Sequence, residues 1–400
     1  MSGEKMEIEI NISGTMDDES DWNDEYEHRI VRIPKTYREL NNLEIGEFLR
    51  FRNRQGGITT LQIAEAFKED VRMNQNSSYV TTEVYSKLSV PGKEKNKIDR
   101  VTNITLGCDP ETFLVDRVTG NVIWAYHYMK KQGDVGNDGA LLEFRPNPSI
   151  YAEEVCDNLW TLIQKARRML THRPGANRIV MVGFSGYKGL STGFHLHYGM
   201  PLGLLSGRPY SKAMANAMTK VFDYYVGIPS ILPEGNKDVY RRTKQYMAYG
   251  KPGQWRLDHR TFEYRMPGGA NLKHPLLARG LLALGAVVAE DVASRLNTCT
   301  SLFRDVRGIL SDGDIRELYP NIPGANTFYS IVCNPEITAA RKHFETVKSD
   351  VRKMVGYKQR AVAVESYFDC LDKDVQFGYN IEQNWGDFYN EKQQGKMVVL

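Results

Sequence analysis

Residues 193–199 read Gly-Phe-His-Leu-His-Tyr-Gly, with two histidines separated by a leucine inside a short, glycine-bracketed apolar run. Side chains at i and i+2 lie on one face of a β-strand, so His195 and His197 point the same way and Phe194, Leu196 and Tyr198 the other. Three more segments repeat the arrangement: Asp109-Pro-Glu111, Glu143-Phe-Arg145 and Glu263-Tyr-Arg265, set in LGCDPETFLV, LLEFRP and TFEYR. Charged groups in apolar strands are costly unless they meet partners, a metal or a charged ligand. Four such strands together suggest one cavity lined by carboxylates, imidazoles and guanidiniums, a surface suited to divalent cations and a polyphosphate. Carboxylates outnumber histidines here, which favours hard ions such as Mg2+ or Mn2+.

Each segment also has a plainer reading. Asp-Pro-Glu in isolation fits a surface turn, two histidines can be a satisfied core pair, and Glu263 with Arg265 can be a self-neutralising ion pair of little worth if exposed. Upstream of that last pair, TKQYMAYGKPGQWRLDHR reads as a polar, glycine-containing loop carrying Arg256 and Arg260. Arginine is the side chain best shaped to grip phosphate oxygens through two parallel bonds. Other catalytic signatures fail. GFSGYKG (183–189) is neither a complete phosphate loop nor a nucleophile elbow, since Tyr187 stands where the second glycine of the elbow belongs. No H-E-x-x-H frame and no G-x-G-x-x-G after a strand occurs.

Outward from these strands the chain of 400 residues has the composition of a water-soluble globular protein, 41% hydrophobic and 25% charged. No apolar run is long enough to span a bilayer and the N-terminus lacks a signal pattern. Five scattered cysteines without a C-x-x-C pair read as reduced thiols, which places the chain in the cytoplasm. Residues 1–27 hold ten acids against one lysine, net −9, so the rest of a +3 chain carries +12. A basic body suits an anionic ligand, and the acidic head, 1–28, is expected to be disordered.

Residues 29–100 are expected to form a small helical or mixed region, with EIGEFLRFRNRQ and TTLQIAEAFKEDVRM as helices. Two short helices with arginines also resemble a helix-turn-helix, but such spacing is more often plain packing, and nucleic acid is not the expected partner. NQNSS and PGKEKNK mark loops, the second a linker. From 101 to 305 strands alternate with helices, among them SIYAEEVCDNLWTLIQKARRML and HPLLARGLLALGAVVAEDVASRL. Residues 306–400 carry no motif beyond a helix at PEITAARKHFETVKSDVRKMV and read as a C-terminal extension.

In order, the blocks GCDPE (107–111), DGALLEFRP (138–146), GFHLHYG (193–199) and FEYR (262–265), the last followed by MPGGANLKHPLLARGLLALGAVV, resemble glutamine synthetase and in particular the phage-type carboxylate–amine ligases. The resemblance covers about 104–295. It implies an α+β fold, a curved, mainly antiparallel sheet with helices on its outer face, and ATP-dependent amide formation between small-molecule or peptide acids and amines. By that resemblance Asp109, Glu111, Glu143, His195 (or His197) and Glu263 would share magnesium. Arg145, Arg256, Arg265 and His197 would surround ATP, Arg256 and Arg265 would act in catalysis, and Asp138 would be the base that takes the amine proton. The location would be cytoplasmic, the host's if phage-encoded, and a homo-oligomer is left open. A related phosphotransferase, or a binding or virion-associated protein on the same fold, are the alternatives. One departure stands out: Asp109 replaces the first glutamate of the E-x-E strand, and Pro110 removes a ladder donor, which predicts Asp109 at a strand edge, coordinating through water.

Overall fold

The computed structural model describes residues 104–393 apart from 173–174, 200–209, 235–237, 239, 244–248, 259–260, 304–311 and 335–336. N-terminal to these it describes 6–10, 12–15, 30–33, 38–39, 43–46, 48–52, 58–65, 78–80 and 94–98. The chain divides into two units, 1–103 with 147–150, and 104–146 with 151–400.

In the first unit the strands β1 (Met6–Ile10), β2 (Ile12–Thr15), β3 (Ile30–Ile33), β4 (Phe48–Arg52), β5 (Ile58–Glu65), β6 (Ser78–Val80) and β7 (Glu94–Ile98) form one sheet in the order β1-β7-β4-β5-β3-β6-β2. This corrects the expected helices over EIGEFLRFRNRQ and TTLQIAEAFKEDVRM, and the helix-turn-helix with them. The physical reason is visible in burial. Val31, Ile33, Leu49, Leu61 and Ile63 are buried at every second position, Leu49 faces Leu61 across the ladder, and Ile58, Thr59, Thr60 and Ile63 are β-branched, a chemistry that favours strands. The ends of both segments lie outside the described residues. The acidic head is likewise corrected in part, because β1 and β2 are strands; DDESDWNDEYE lies outside the described residues. The expected linker PGKEKNK overlaps β7.

The second unit is built on an eight-stranded sheet. Its strands are β8 (Thr105–Asp116), β9 (Val122–Ile123), β10 (Val135–Asp138), β11 (Leu141–Phe144), β12 (Ile179–Val182), β15 (Phe194–Gly199), β16 (Trp255–Asp258) and β17 (Thr261–Tyr264), while β13 (Gly186–Tyr187) and β14 (Leu190–Ser191) form a separate hairpin. The order is β10-β11-β8-β15-β17-β16, with β9 and β12 also on β8, and every pairing is antiparallel. Long β8 is the spine: residues 105–110 pair with β15 and the remainder with β11, β12 and β9. β16 falls inside the stretch expected to be a polar loop, a correction explained by the tight Gly250 to Gln254 turn that lets Trp255–Asp258 fold back along β17.

One face of this sheet is apolar. Leu106, Cys108, Leu142, Phe144, Phe194, Leu196, Tyr198, Phe262 and Tyr264 are buried in the main core. The helices of this unit are α1 (Ala152–Thr171), α2 (Tyr210–Phe222), α3 (Ile228–Ile231), α4 (Tyr240–Thr243), α5 (Pro275–Phe303), α6 (Asp312–Leu318), α7 (Ala325–Val332), α8 (Thr338–Val351), α9 (Tyr357–Asp372) and α10 (Ile381–Gln393); α1, α2 and α5 lie against the sheet and α9 packs on α5. α1 begins with Glu153 and Glu154 and ends with Arg168, charges that match the helix dipole. From residue 280 to 289 α5 is uncharged and buried all round, as a helix segment surrounded by core must be. Its Gly285 lies where a Cβ would strike the Tyr198 phenol of β15, and Gly280 where one would strike Tyr367 of α9. Small residues there let α5 lie close to both neighbours. Residues 312–393 are therefore no separate extension: Phe344, Tyr367, Phe368 and Trp385 belong to the same core, and the Trp385 indole N–H donates to the Leu272 carbonyl at 2.8 Å. The architecture is α+β. Among the described residues no helix is long and apolar enough to cross a membrane.

Candidate active site

The opposite face of the same strands carries the ionisable groups, and the register sets them in one row. Glu143 of β11 lies opposite Glu111 of β8. Asp109 of β8 lies opposite His195 of β15, His197 opposite Glu263 of β17, and Glu263 opposite Arg256 of β16. Directly opposed residues sit side by side on one face, so the i, i+2 spacing becomes a continuous polar strip across five strands.

Within the strip Asp109 Oδ1 lies 3.1 Å from His197 Nε2 and 3.2 Å from His195 Nδ1. Glu263 Oε1 lies 3.1 Å from Arg265 Nε and 3.6 Å from His195 Nδ1, and its Oε2 3.6 Å from Arg256 Nε. Arg145 pairs with Glu143 and donates from Nη1 to the Gly133 carbonyl at 2.8 Å. Glu111 accepts the Gly193 N–H at 2.7 Å. The Tyr249 hydroxyl reaches Glu111 at 3.3 and 3.4 Å and also bonds His195 Nε2.

These contacts decide the charges. Burial would raise the Asp109 carboxyl, but the imidazoles of His197 and His195 outweigh it and hold the group well below the usual carboxylate range. Burial pushes Glu143 up to about 7 against the pull of Arg145, and raises Glu111 against the pull of His195. Burial would lower His195, yet Asp109 prevails and raises it. His195 Nδ1 faces carboxylates, which only accept, so that nitrogen carries a proton. The phenol has one proton; it can serve Glu111 only when His195 Nε2 also bears one and donates to the phenol oxygen.

Asp109 Oδ1 and Glu263 Oε1 are buried yet accept no well-aimed hydrogen bond. Buried carboxylate oxygens that accept no well-aimed bond are what a bound cation would satisfy. Asp109, His197 and Glu263 each offer a ligand atom within 4.8 Å of the others, an oxygen-rich set that fits Mg2+ or Mn2+.

Each expected site residue can now be placed. Asp109, Glu111, His195, His197, Glu263 and Arg265 converge, with Glu143 and Arg145 continuing the row. His195, expected as a ligand, has both ring nitrogens occupied by protein groups, and His197 is the imidazole in the three-residue ligand set. Arg256 sits on the outermost strand with its side chain 60% exposed. Asp138 is exposed at the end of β10, near enough for its charge to act on Glu111 and Glu143. Arg260 lies outside the described residues. Asp109, expected at a strand edge, lies mid-strand in β8, paired with His195 of β15 on one side, while the β11 ladder on the other side ends at Glu111. Glu111 N donates to the Gly193 carbonyl, so the amide position of residue 110 faces β11, whose ladder ends at Glu111. Pro110 thus forfeits no bond there. Tyr249 carried no periodic signal in the sequence, sitting in a stretch read as loop.

A family model described as "Phage phiEco32-like COOH.NH2 ligase-type 2" matches residues 106–327, more than half of the chain. Among solved structures the chain is similar to a bifunctional glutathione synthetase from Pasteurella multocida, at 10% identity and a TM-score of 0.30, over 66% of this chain and 52% of that one. It is also similar to a "novel glutamine synthase homolog", at 12% identity and a TM-score of 0.31, over 66% of this chain and 70% of that one. The chain spans about half the length of the first. A comparison with curated proteins gave no match. The strip of acids and imidazoles, the four blocks on their strands and the family match lead to one assignment: the chain belongs to the phage phiEco32-like COOH.NH2 ligase type 2 family.

Proposed function

We propose that the chain is an ATP-dependent carboxylate–amine ligase that joins a small-molecule or peptide acid to an amine through an acyl phosphate. The observation that carries this reading is the polar strip itself, in which buried Asp109 and Glu263 oxygens accept no well-aimed hydrogen bond although imidazole and guanidinium groups stand beside them. Asp109, His197 and Glu263 would hold one magnesium or manganese ion, and the facing carboxylates Glu111 and Glu143 would serve a second. When bound, such ions would neutralise phosphate oxygens and so let two anions approach.

A carboxylate is a poor electrophile and needs activation. Its oxygen attacks the terminal phosphorus of ATP, and ADP departs with the electron pair of the broken P–O bond. Arg265, fixed by Glu263, faces the transferring phosphoryl group, while exposed Arg256 is free to swing toward the substrate carboxylate, and Arg145 flanks the far end of the strip. The amine nitrogen then attacks the acyl carbon, phosphate leaves, and the ammonium proton passes to a carboxylate, for which Asp138 at the rim is suited.

The test offers Mg2+–ATP, a panel of amino acids and short peptides, and hydroxylamine as the amine. An acyl phosphate is trapped as a hydroxamate in step with ADP formation. ATP consumption that yields a phosphorylated product and no hydroxamate would make the chain a phosphotransferase, and absence of nucleotide-dependent thermal stabilisation would make it a scaffold.

A further inference from the structure

We propose that Tyr249 is a positioning residue of this site, whose hydroxyl fixes Glu111 and His195 and whose ring fixes Arg265, an inference that rests on the ligase reading above. The three groups it meets come from β8, from β15 and from the residue that follows β17. The hydroxyl lies between both Glu111 oxygens and His195 Nε2, and the Arg265 guanidinium stands 5.6 Å from the ring centre. A tyrosine that merely fills a core needs one partner for its hydroxyl; this one meets the site with hydroxyl and ring alike.

The ring has a second cationic neighbour. The Tyr249 N–H donates to the Arg241 carbonyl at 2.7 Å, and the Arg241 guanidinium, 5.7 Å from the ring centre, is pinned by the carbonyls of Met266 at 2.9 Å and Pro267 at 3.2 Å. The turn that follows is tied by Gln254 Oε1, which accepts from Gly250 N at 2.8 Å and Lys251 N at 3.2 Å. Asp223 closes it by accepting from Gly253 N at 2.8 Å. Tyr249 is thus braced by its own loop and by Arg241 and spends its polar group on the site. Without the hydroxyl, Glu111 keeps only the Gly193 N–H and His195 only its Nδ1 contacts with Asp109 and Glu263, so the placing of Glu111 and of the ligand Asp109 loosens.

The probe is Mn2+ binding to the full chain, followed by electron paramagnetic resonance without nucleotide, on wild type, Tyr249→Phe and Tyr249→Ala. Groups that orient metal ligands change affinity by 10- to 100-fold when lost, so Tyr249→Phe is expected to weaken Mn2+ by about tenfold while its melting temperature stays near that of wild type. The turnover of phosphate release should fall more than the KM for ATP changes. Tyr249→Ala should weaken Mn2+ no further than Tyr249→Phe but lower turnover again, because Arg265 loses its support. Wild-type Mn2+ affinity in Tyr249→Phe, with a lowered melting temperature, overturns the inference and leaves the ligase reading standing. A wild-type chain that binds no Mn2+ overturns both.

Discussion

Glu263→Gln separates a structural from a functional carboxylate, because its effect on stability can be worked from the geometry. Glu263 is 2% exposed and attracts Arg265 across 3.1 Å; at an effective dielectric of about 20 that is worth about 5 kcal/mol. It also repels Asp109, within 4.8 Å, by at least about 3.5 kcal/mol on the same scale. His195 at 3.6 Å adds to the attraction, Glu111 and Glu143 add to the repulsion, and Arg256 is too exposed to matter much. Glutamine keeps the shape and removes both terms, for a net loss of about 2 kcal/mol. That is less than the roughly 3–5 kcal/mol of an ordinary broken buried pair, because Asp109 remains to compensate Arg265. A unit of this size should then melt about 5 °C lower. Mn2+ affinity should fall by at least about a hundredfold, the upper end of what is seen when a mere supporting group is lost, and Mg2+–ATP-dependent phosphate release should vanish. Calorimetry, urea titration and Mn2+ resonance read the three quantities. A loss above about 5 kcal/mol with Mn2+ binding unchanged would show Glu263 to be the structural counter-ion of Arg265 and refute the reasoning.

Arg265→Lys keeps the charge but loses the planar fork, so single-turnover phosphate release at saturating Mg2+–ATP should slow by about 2–4 kcal/mol of transition-state stabilisation; equal rates would place Arg265 outside the chemistry. Trp385→Ala, which empties a fully buried site and orphans the Leu272 carbonyl, should cost about 3–5 kcal/mol in urea titrations while folded molecules bind Mn2+ as before. Burial pushes Asp223 up to about 7, against the Tyr264 hydroxyl and Gly253 N–H that it accepts from. A folded carboxyl above its unfolded value binds more protons than the unfolded chain, so this group's contribution is full at low pH and is lost as pH rises through about 7. Asp223→Asn should therefore shrink the stability difference between pH 5.5 and 7.5 by about 2 kcal/mol, and an unchanged difference would mean that Asp223 is ionised throughout.

The strip was legible because its information is local: a period of two is a property of four short segments, and each needs only to be a strand for its charges to share a face. Helices α1 and α5 were legible for the same reason, one from end charges and amphipathic spacing, the other from the uncharged run 280–289. Between residues 45 and 72, apolar residues fall at spacings that satisfy both periods, and tertiary pairing of Leu49 with Leu61 decided for strands. Tyr249 and β16 were hidden by a more basic obstacle. The role of Tyr249 comes from Glu111 and His195, both distant in sequence, and no window around it contains them. The integration of α8, α9 and α10 was hidden likewise, since α5 shows an apolar surface without naming what covers it.

Site and core are two faces of one alternation, and this couples them. Phe194, Leu196, Tyr198, Phe262 and Tyr264 lie buried beneath the helices, each large apolar side chain contributing about 1.5–3 kcal/mol, while His195, His197 and Glu263 stand between them on the other side. Moving β15 by one residue against β8 would drive two imidazoles into the core and lift Leu196 into the charged strip. The apolar face therefore enforces the register that pairs Asp109 with His195 and His197 with Glu263. Gly285 of α5 sharpens this, since the Tyr198 phenol fits only where that Cβ is missing. A bulkier residue at 285 is thus a perturbation of the site from behind, transmitted through one strand, with every charged group left in place.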